Sequence, residues 1–215
     1  MIVGFIRHAS THWNAQGRMQ GRRDIPLSVD GRNDAATWRL PGAIANEGRC
    51  LSSPLARAIE TARLLGHRAP EVEPALTEMD WGAWEGFTHA ELRARFGAEF
   101  TRNERLGLDF QPPGGESPRD VVARVARWLD SIVATPGPLV VVTHNGVLRA
   151  LLALATGWDM TSKPPVRLAP ASMHRFSVDR AARPAILECN VALRPAASAT
   201  VPGSLPTPAP SATRP

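Results

Sequence analysis

The chain reads as an α/β domain built around a largely parallel sheet, and two observations carry that reading. Two short runs, Ile2–Ile6 and Leu139–Thr143, are apolar without polar alternation, as in strands covered on both faces. Around them lie segments whose apolar residues recur at helical spacing, so strands alternate with helices. With 43% apolar and 21% charged residues over 215 positions, the chain has enough material for one full core.

The elements follow in order. Ile2–Ile6 is the first strand and stops at the charged pair Arg7-His8. Residues 9–26 are polar and irregular. Ser28 is a suitable N-cap for a helix running to about Leu40, ended by Pro41-Gly42. Cys50-Leu51-Ser52 is a short strand and Ser53-Pro54 a turn. Leu55, Ile59, Ala62 and Leu65 then share one helical face, and Gly66 stops that helix.

Thr88 with Glu91 forms a capping box ahead of Leu92 and Phe96. Gly114-Gly115 is a turn before Ser117-Pro118, the N-cap and first position of a helix. That helix sets Val121, Val125, Trp128, Leu129 and Ile132 on one side. Leu139–Thr143 leads through His144 into a Leu- and Ala-rich helix over Gly146–Thr156, and two late strands are expected at 172–178 and 185–191. From Arg194 onward Pro, Ala, Ser and Thr replace the large apolar residues. The domain is therefore placed at 1–193 and a disordered tail at 194–215.

Composition narrows the partners. The net charge is +5, and Lys163 is the one lysine, so the positive charge is almost all arginine. The arginines are dispersed, without the dense basic run of a nucleic-acid binder; a few pointing inward suit small anions. No apolar run approaches the roughly 20 residues that span a bilayer. The N-terminus lacks the features of a signal peptide, so a cytoplasmic location is expected. Cys50 and Cys189 read as two buried thiols, with neither disulfide nor metal spacing.

In open α/β sheets ligands bind outside the carboxyl ends of the strands. His8 and His144 stand there, each at the end of a buried strand. A single histidine is more often structural, but two at strand ends can face one cleft. The Arg7 guanidinium disfavours protonation of its neighbour His8 and can grip a phosphoryl group bidentately.

Longer blocks carry a resemblance. Arg7-His8-Ala9-Ser10-Thr11-His12-Trp13-Asn14 continues through Gly17-Arg18-Met19-Gln20-Gly21 to Asp24-Ile25-Pro26-Leu27-Ser28 and Gly31. Further blocks are Ser52-Ser53-Pro54-Leu55-Ala56-Arg57-Ala58, Glu78 with Trp81-Gly82-Ala83-Trp84-Glu85-Gly86, Gly114-Gly115-Glu116-Ser117, and Thr143-His144-Asn145-Gly146-Val147-Leu148-Arg149. In this order, over about residues 1–190, they resemble the histidine phosphatase superfamily, which includes cofactor-dependent phosphoglycerate mutase.

The resemblance implies a three-layer α/β/α fold and a set of roles. His8 is the nucleophile that carries the phosphoryl group. Arg7, Arg57 and His144 surround the phosphoryl oxygens, and Asn14, Thr11, Gln20 and Gly21 contribute to substrate binding. Glu78 is the general acid and then the base. Taken singly, Arg57 would pass for a solvated helix residue and Glu78 for a surface carboxylate; the motif context assigns them. Asp80 and Glu85 match the acid's position less well. Trp81 and Trp84 belong either to the core or to the cleft wall, and His12, His67, His89 and His174 read as surface or structural. No metal and no cofactor are implied, because arginines and a histidine supply the positive charge.

The chain departs from the family pattern at Ala9 and Asn145, where glycine is usual, and at Ser10, where an acidic or amide residue is usual. Those positions bear on substrate choice. The stretch between Glu78 and His144 is also short beside the mutases, although Arg93, Arg95, Arg102 and Arg105 lie in it. A more open site favours water as acceptor. The expected activity is thus hydrolysis of a small phosphorylated metabolite by a monomer or homodimer. The alternatives are phosphoglycerate mutase, α-ribazole phosphatase of cobalamin assembly, and a phosphate-binding regulatory protein.

Overall fold

The computed structural model describes residues 1–41 and 49–193; Gly42 and the tail expected from Arg194 lie outside the described residues. Within them one sheet is formed by β1 (Ile2–Arg7), β2 (Arg49–Ser52), β3 (Glu71–Val72), β4 (Leu139–Thr143), β5 (Ser172–Val178) and β6 (Pro184–Ala192). Their order is β3-β2-β4-β1-β5-β6. The β3–β2, β2–β4 and β4–β1 pairs are parallel, while β5 and β6 add antiparallel at one side. A tight turn organised by Asp179, whose carboxylate accepts from the Ala181 and Arg183 amides at 2.9 Å, joins the last two strands. Strands linked so closely can only pair antiparallel.

The helices are α1 (His12–Ala15), α2 (Val29–Ala36), α3 (Ala56–Leu64), α4 (His89–Glu104), α5 (Pro118–Ile132) and α6 (Asn145–Thr156). Alternate residues of the central strands enter different cores. Val3, Phe5 and Val141 pack with Val125, Trp128 and Leu129 of α5 and Leu148 and Leu151 of α6. Ile6, Val140 and Val142 pack with Ala35 of α2 and Ala58 and Ala62 of α3. Period-two side-chain direction in continuously apolar strands thus produces the three layers.

The predicted caps form. Ser28 accepts from the Gly31 amide at 3.0 Å, and reciprocal capping boxes link Thr88 with Glu91 and Ser117 with Asp120. Helix α3 lacks a side-chain cap of its own; Asp24 supplies one from a distant loop, accepting from the Ala56 amide at 2.8 Å. Gly31 is needed for close approach, since a Cβ there would overlap the Ser10 carbonyl, on which α2 rests.

Several expectations are corrected. Helix α2 ends at Ala36, not near Leu40: the Thr37 hydroxyl bonds back to Asp34 O at 2.7 Å, Trp38 turns into the core, and the Arg39 amide donates to Leu193 O. The irregular stretch 9–26 contains α1, whose single turn is too short to show a helical period. Strand β3, with two exposed residues, left no pattern to read. Gly97, at φ +50°, kinks α4. Cys50 is buried, and its thiol is pushed up to about 12 mainly by burial, but Cys189 is only half-buried; both are free. Among the described residues no helix is long and apolar enough to cross a membrane.

Candidate active site

A cleft of about 360 Å³ opens at the carboxyl ends of β1 and β4. Arg7, His8, Asn14, Gln20, Gly21, Arg57 and Glu78 line it. His144 lies fully buried beside it, its ring centroid 5.0 Å from that of His8.

His8 follows directly on β1, and its amide continues the ladder by donating to Thr143 O at 2.9 Å. Its Nδ1 lies 2.7 Å from the Ala9 carbonyl oxygen. A carbonyl can only accept, so Nδ1 carries the proton and Nε2 keeps its lone pair. The Ala9 carbonyl is itself steadied, because the Ala9 amide donates to Thr61 Oγ1 at 3.0 Å and that hydroxyl donates to Arg57 O at 2.7 Å. Burial, followed by the charges of Arg7 and Arg57, pushes His8 well below the ordinary imidazole range and keeps it neutral.

Arg57 projects from the first turn of α3 and is fully buried. Its two terminal nitrogens donate at 2.8 Å to the carbonyls of Arg23 and Gly21, while Nε has no partner. Gly21, at φ +53°, has no room for a Cβ because Glu85 fills that space. The backbone of this loop thereby aims Arg57. Asn14 has a double function: its Oδ1 accepts from the Thr11 amide and hydroxyl at 3.0 Å, closing the cap of α1 and leaving its Nδ2 donors for the cleft. Thr11, expected at the substrate, is instead this buried N-cap and does not line the cleft. Gln20 lines the cleft with a buried, unbonded Oε1.

Glu78 Oε1 accepts from the Met79 and Gly146 amides, each at 2.9 Å, which leaves Oε2 free. Burial raises its carboxyl above the usual range, against the opposing pull of those amides and of Arg57 and Arg7. Arg124 fixes the segment leading to it, donating to the carbonyls of Ala75 at 2.5 Å and Thr77 at 2.6 Å while pairing with Glu116. A Cβ on Gly146 would overlap the Glu78 carboxylate, the mobile end of a side chain. Gly146→Ala should therefore fold normally yet displace the acid. The expected result is an unchanged Tm with a loss of about 10-fold or more on alkyl phosphates. Unchanged turnover would show that Glu78 tolerates the shift.

Other carboxylates are occupied elsewhere: Asp80 caps the Gly82 amide at 2.8 Å, and Glu85 holds the Arg22 amide at 2.6 Å. Trp81 lines the cleft, whereas Trp84 is buried against Phe100 and Phe110. His89, read as surface or structural, lies on the outer wall of the cleft, its Nδ1 3.5 Å from Glu104. Arg93, Arg95, Arg102 and Arg105 do not line the cleft; Arg93 pairs with Glu104 at 2.9 Å and Arg95 stacks on Phe87 and Phe96.

Arg149 lines the cleft and was quoted in the last block without a role. It projects from α6, largely buried, with its guanidinium 4.7 Å from the Trp158 ring centroid. Its position at the end of the His144 block, in the second turn of α6, was the available signal.

Two histidines, converging arginines and a buried carboxyl held above its usual range thus gather at the carboxyl ends of parallel strands in an α/β fold. The chain belongs to the histidine phosphatase superfamily: the model of its branch 1 matches residues 3–191. A 2,3-bisphosphoglycerate-dependent phosphoglycerate mutase of Gloeobacter violaceus is 35% identical over 166 residues, covering 70% of this chain and 74% of the mutase. A glucosyl-3-phosphoglycerate phosphatase of Mycolicibacterium vanbaalenii is 33% identical over 172 residues, covering 74% of this chain and 76% of that protein. Among solved structures, a mycobacterial glucosyl-3-phosphoglycerate phosphatase complexed with VO3 aligns with a TM-score of 0.73 at 30% identity. It covers 89% of this chain and 99% of that one.

Proposed function

We propose that the protein is a metal-independent phosphatase acting on small phosphomonoesters through a phosphohistidine on His8. The observation that carries this reading is the bond from His8 Nδ1 to the Ala9 carbonyl, which leaves Nε2 as a neutral nucleophile beside two arginines. Nε2 attacks phosphorus, the bond to the leaving oxygen breaks, and Glu78 gives that oxygen its proton. The ring then holds positive charge, and the Ala9 carbonyl bonded to Nδ1–H disperses it. Water attacks next: Glu78, now carboxylate, takes its proton, the P–N bond breaks, and inorganic phosphate leaves a neutral His8. Arg7, the free Nε of Arg57 and Asn14 Nδ2 meet the equatorial oxygens, where charge spreads in the transition state.

Arg149 bears on the leaving group. Among the described residues its guanidinium has neither a hydrogen bond nor an ion pair. Burial disfavours its charge and the nearby Glu78 carboxyl favours it. While that carboxyl is protonated the cation lacks its counter-charge, which is costly, so a leaving group carrying a carboxylate fits this wall, as in the phosphoglycerates named for the relatives.

The pH dependence separates the two titrating groups. His8 must be neutral, so the rate rises with pH through its lowered pKa. Glu78 must be protonated for the first step, so the rate falls as pH climbs through its raised one. Alkyl phosphates should show a bell-shaped kcat/KM profile. p-Nitrophenyl phosphate, which needs no acid, should lose the alkaline limb. Coincident profiles for the two substrates would remove Glu78 from the acid role.

The test is phosphate release in EDTA from p-nitrophenyl phosphate, glycerol 3-phosphate and 3-phosphoglycerate, with a coupled assay for 2-phosphoglycerate. Release that exceeds isomerisation supports the phosphatase. Isomerisation that far exceeds release assigns the protein to the mutases, and absence of both defeats the catalytic reading.

A further inference from the structure

We infer that Ser53 is a positioning residue that selects the tautomer of His144 and so turns that histidine into a hydrogen-bond donor for the phosphoryl group. Ser53 is fully buried in the turn between β2 and α3. Its hydroxyl lies 2.7 Å from His144 Nε2 and accepts from the Leu55 amide at 3.3 Å. A hydroxyl has one proton and two lone pairs. With the Leu55 amide on one lone pair, its proton is free for a nitrogen acceptor, and His144 Nε2 is the acceptor within reach. Nε2 is then unprotonated, and the neutral ring carries its proton on Nδ1.

The opposite arrangement leaves more groups unmet. If Nε2–H donated to Ser53, the serine oxygen would receive two donors while its own proton had no acceptor. Nδ1 would then be a bare acceptor in the interior. That Nδ1 is fully buried and has no partner in the protein. On Nδ1 a proton is a donor held for a ligand, beside the His8 ring that would carry the phosphoryl group.

Charge agrees with the geometry. His144 faces His8, Arg57, Arg7 and Arg124; burial first, and then the guanidinium charges, keep the ring neutral, so a single proton must be placed. Two histidines in one site thus take the same tautomer by different devices. A backbone carbonyl fixes His8 as a nucleophile at Nε2, and a serine hydroxyl fixes His144 as a donor at Nδ1. Ser53 touches neither substrate nor phosphorus in this scheme.

The kinetic part of this inference rests on the proposed phosphohistidine chemistry, whereas the tautomer does not, so the test has two arms. The first arm is long-range 1H–15N correlation on the histidine-labelled full-length protein, with His144→Gln used to assign the ring. Wild type should show a protonated, pyrrole-type Nδ1 and a pyridine-type Nε2. A protonated Nε2 in wild type overturns the inference whatever the activity. In Ser53→Ala the His144 signals should move toward the Nε2–H form, and an unmoved spectrum is equally fatal.

The second arm compares turnover. A preorganised donor to developing charge is worth about 10²–10³-fold in kcat, so Ser53→Ala, which removes the bias but keeps the ring, should lose about 10-fold or more. The loss should fall on kcat rather than KM, and Ser53→Thr, which keeps the hydroxyl, should recover most of it. Equal loss in the Ala and Thr variants would reduce Ser53 to a packing role. An inactive wild type with the expected tautomer would overturn the phosphatase reading and leave the Ser53 assignment standing.

Discussion

Replacement of His8 by alanine should abolish turnover on every phosphomonoester while the protein stays folded. Removing a nucleophile that acts together with its surrounding groups costs about 10⁴–10⁶-fold. Folding should survive because the imidazole bonds, among the described residues, to the carbonyl of the next residue alone, and β1 is held by β4 and β5 without it. The same variant should fail to yield the acid-labile phosphoprotein that wild type forms when quenched during turnover. Retained phosphate release by His8→Ala would remove the histidine from the chemistry.

Glu78→Gln carries the second large effect, and it should depend on the leaving group. The amide keeps the shape, and its oxygen can still accept from the Met79 and Gly146 amides, so the cleft should be preserved. It cannot deliver a proton. A positioned acid contributes about 10²–10⁴-fold, and an alkoxide needs that proton while p-nitrophenolate does not. The ratio of rates on p-nitrophenyl phosphate and glycerol 3-phosphate should therefore widen by that factor. An equal loss on both substrates would make Glu78 a structural or electrostatic residue.

Much of the fold was legible because its signals are local. Two continuously apolar strands, a helix with Val121, Val125 and Trp128 on one face, and caps at Ser28, Thr88 and Ser117 each follow from neighbours a few residues away. What escaped was either too short to have a period, as in α1 and β3, or decided at long range. The early end of α2 reflects the pull of Trp38 into the core and the pairing of Arg39 with Leu193, contacts invisible to a window of neighbouring residues.

The site divides in the same way. By itself the sequence named the residues proposed to carry the chemistry: His8, His144, Arg7, Arg57 and Glu78 stand in ordered blocks. It also determined that the two histidines end buried strands, because apolar runs broken by charge are visible in one dimension. Only the tertiary structure decided how these groups are aimed. The Ala9 carbonyl assigns the His8 proton, the Gly21 and Arg23 carbonyls orient Arg57, and the Gly146 amide from α6 holds Glu78. It also sent Thr11 to a helix cap, set His89 and Arg149 in the cleft wall, and placed Ser53 against His144. The physical reason is that a pattern of residue types records which face is apolar and which residue is ionisable. Tautomer, hydrogen-bond direction and desolvation depend on atoms brought together from α3, α6 and the loops between them.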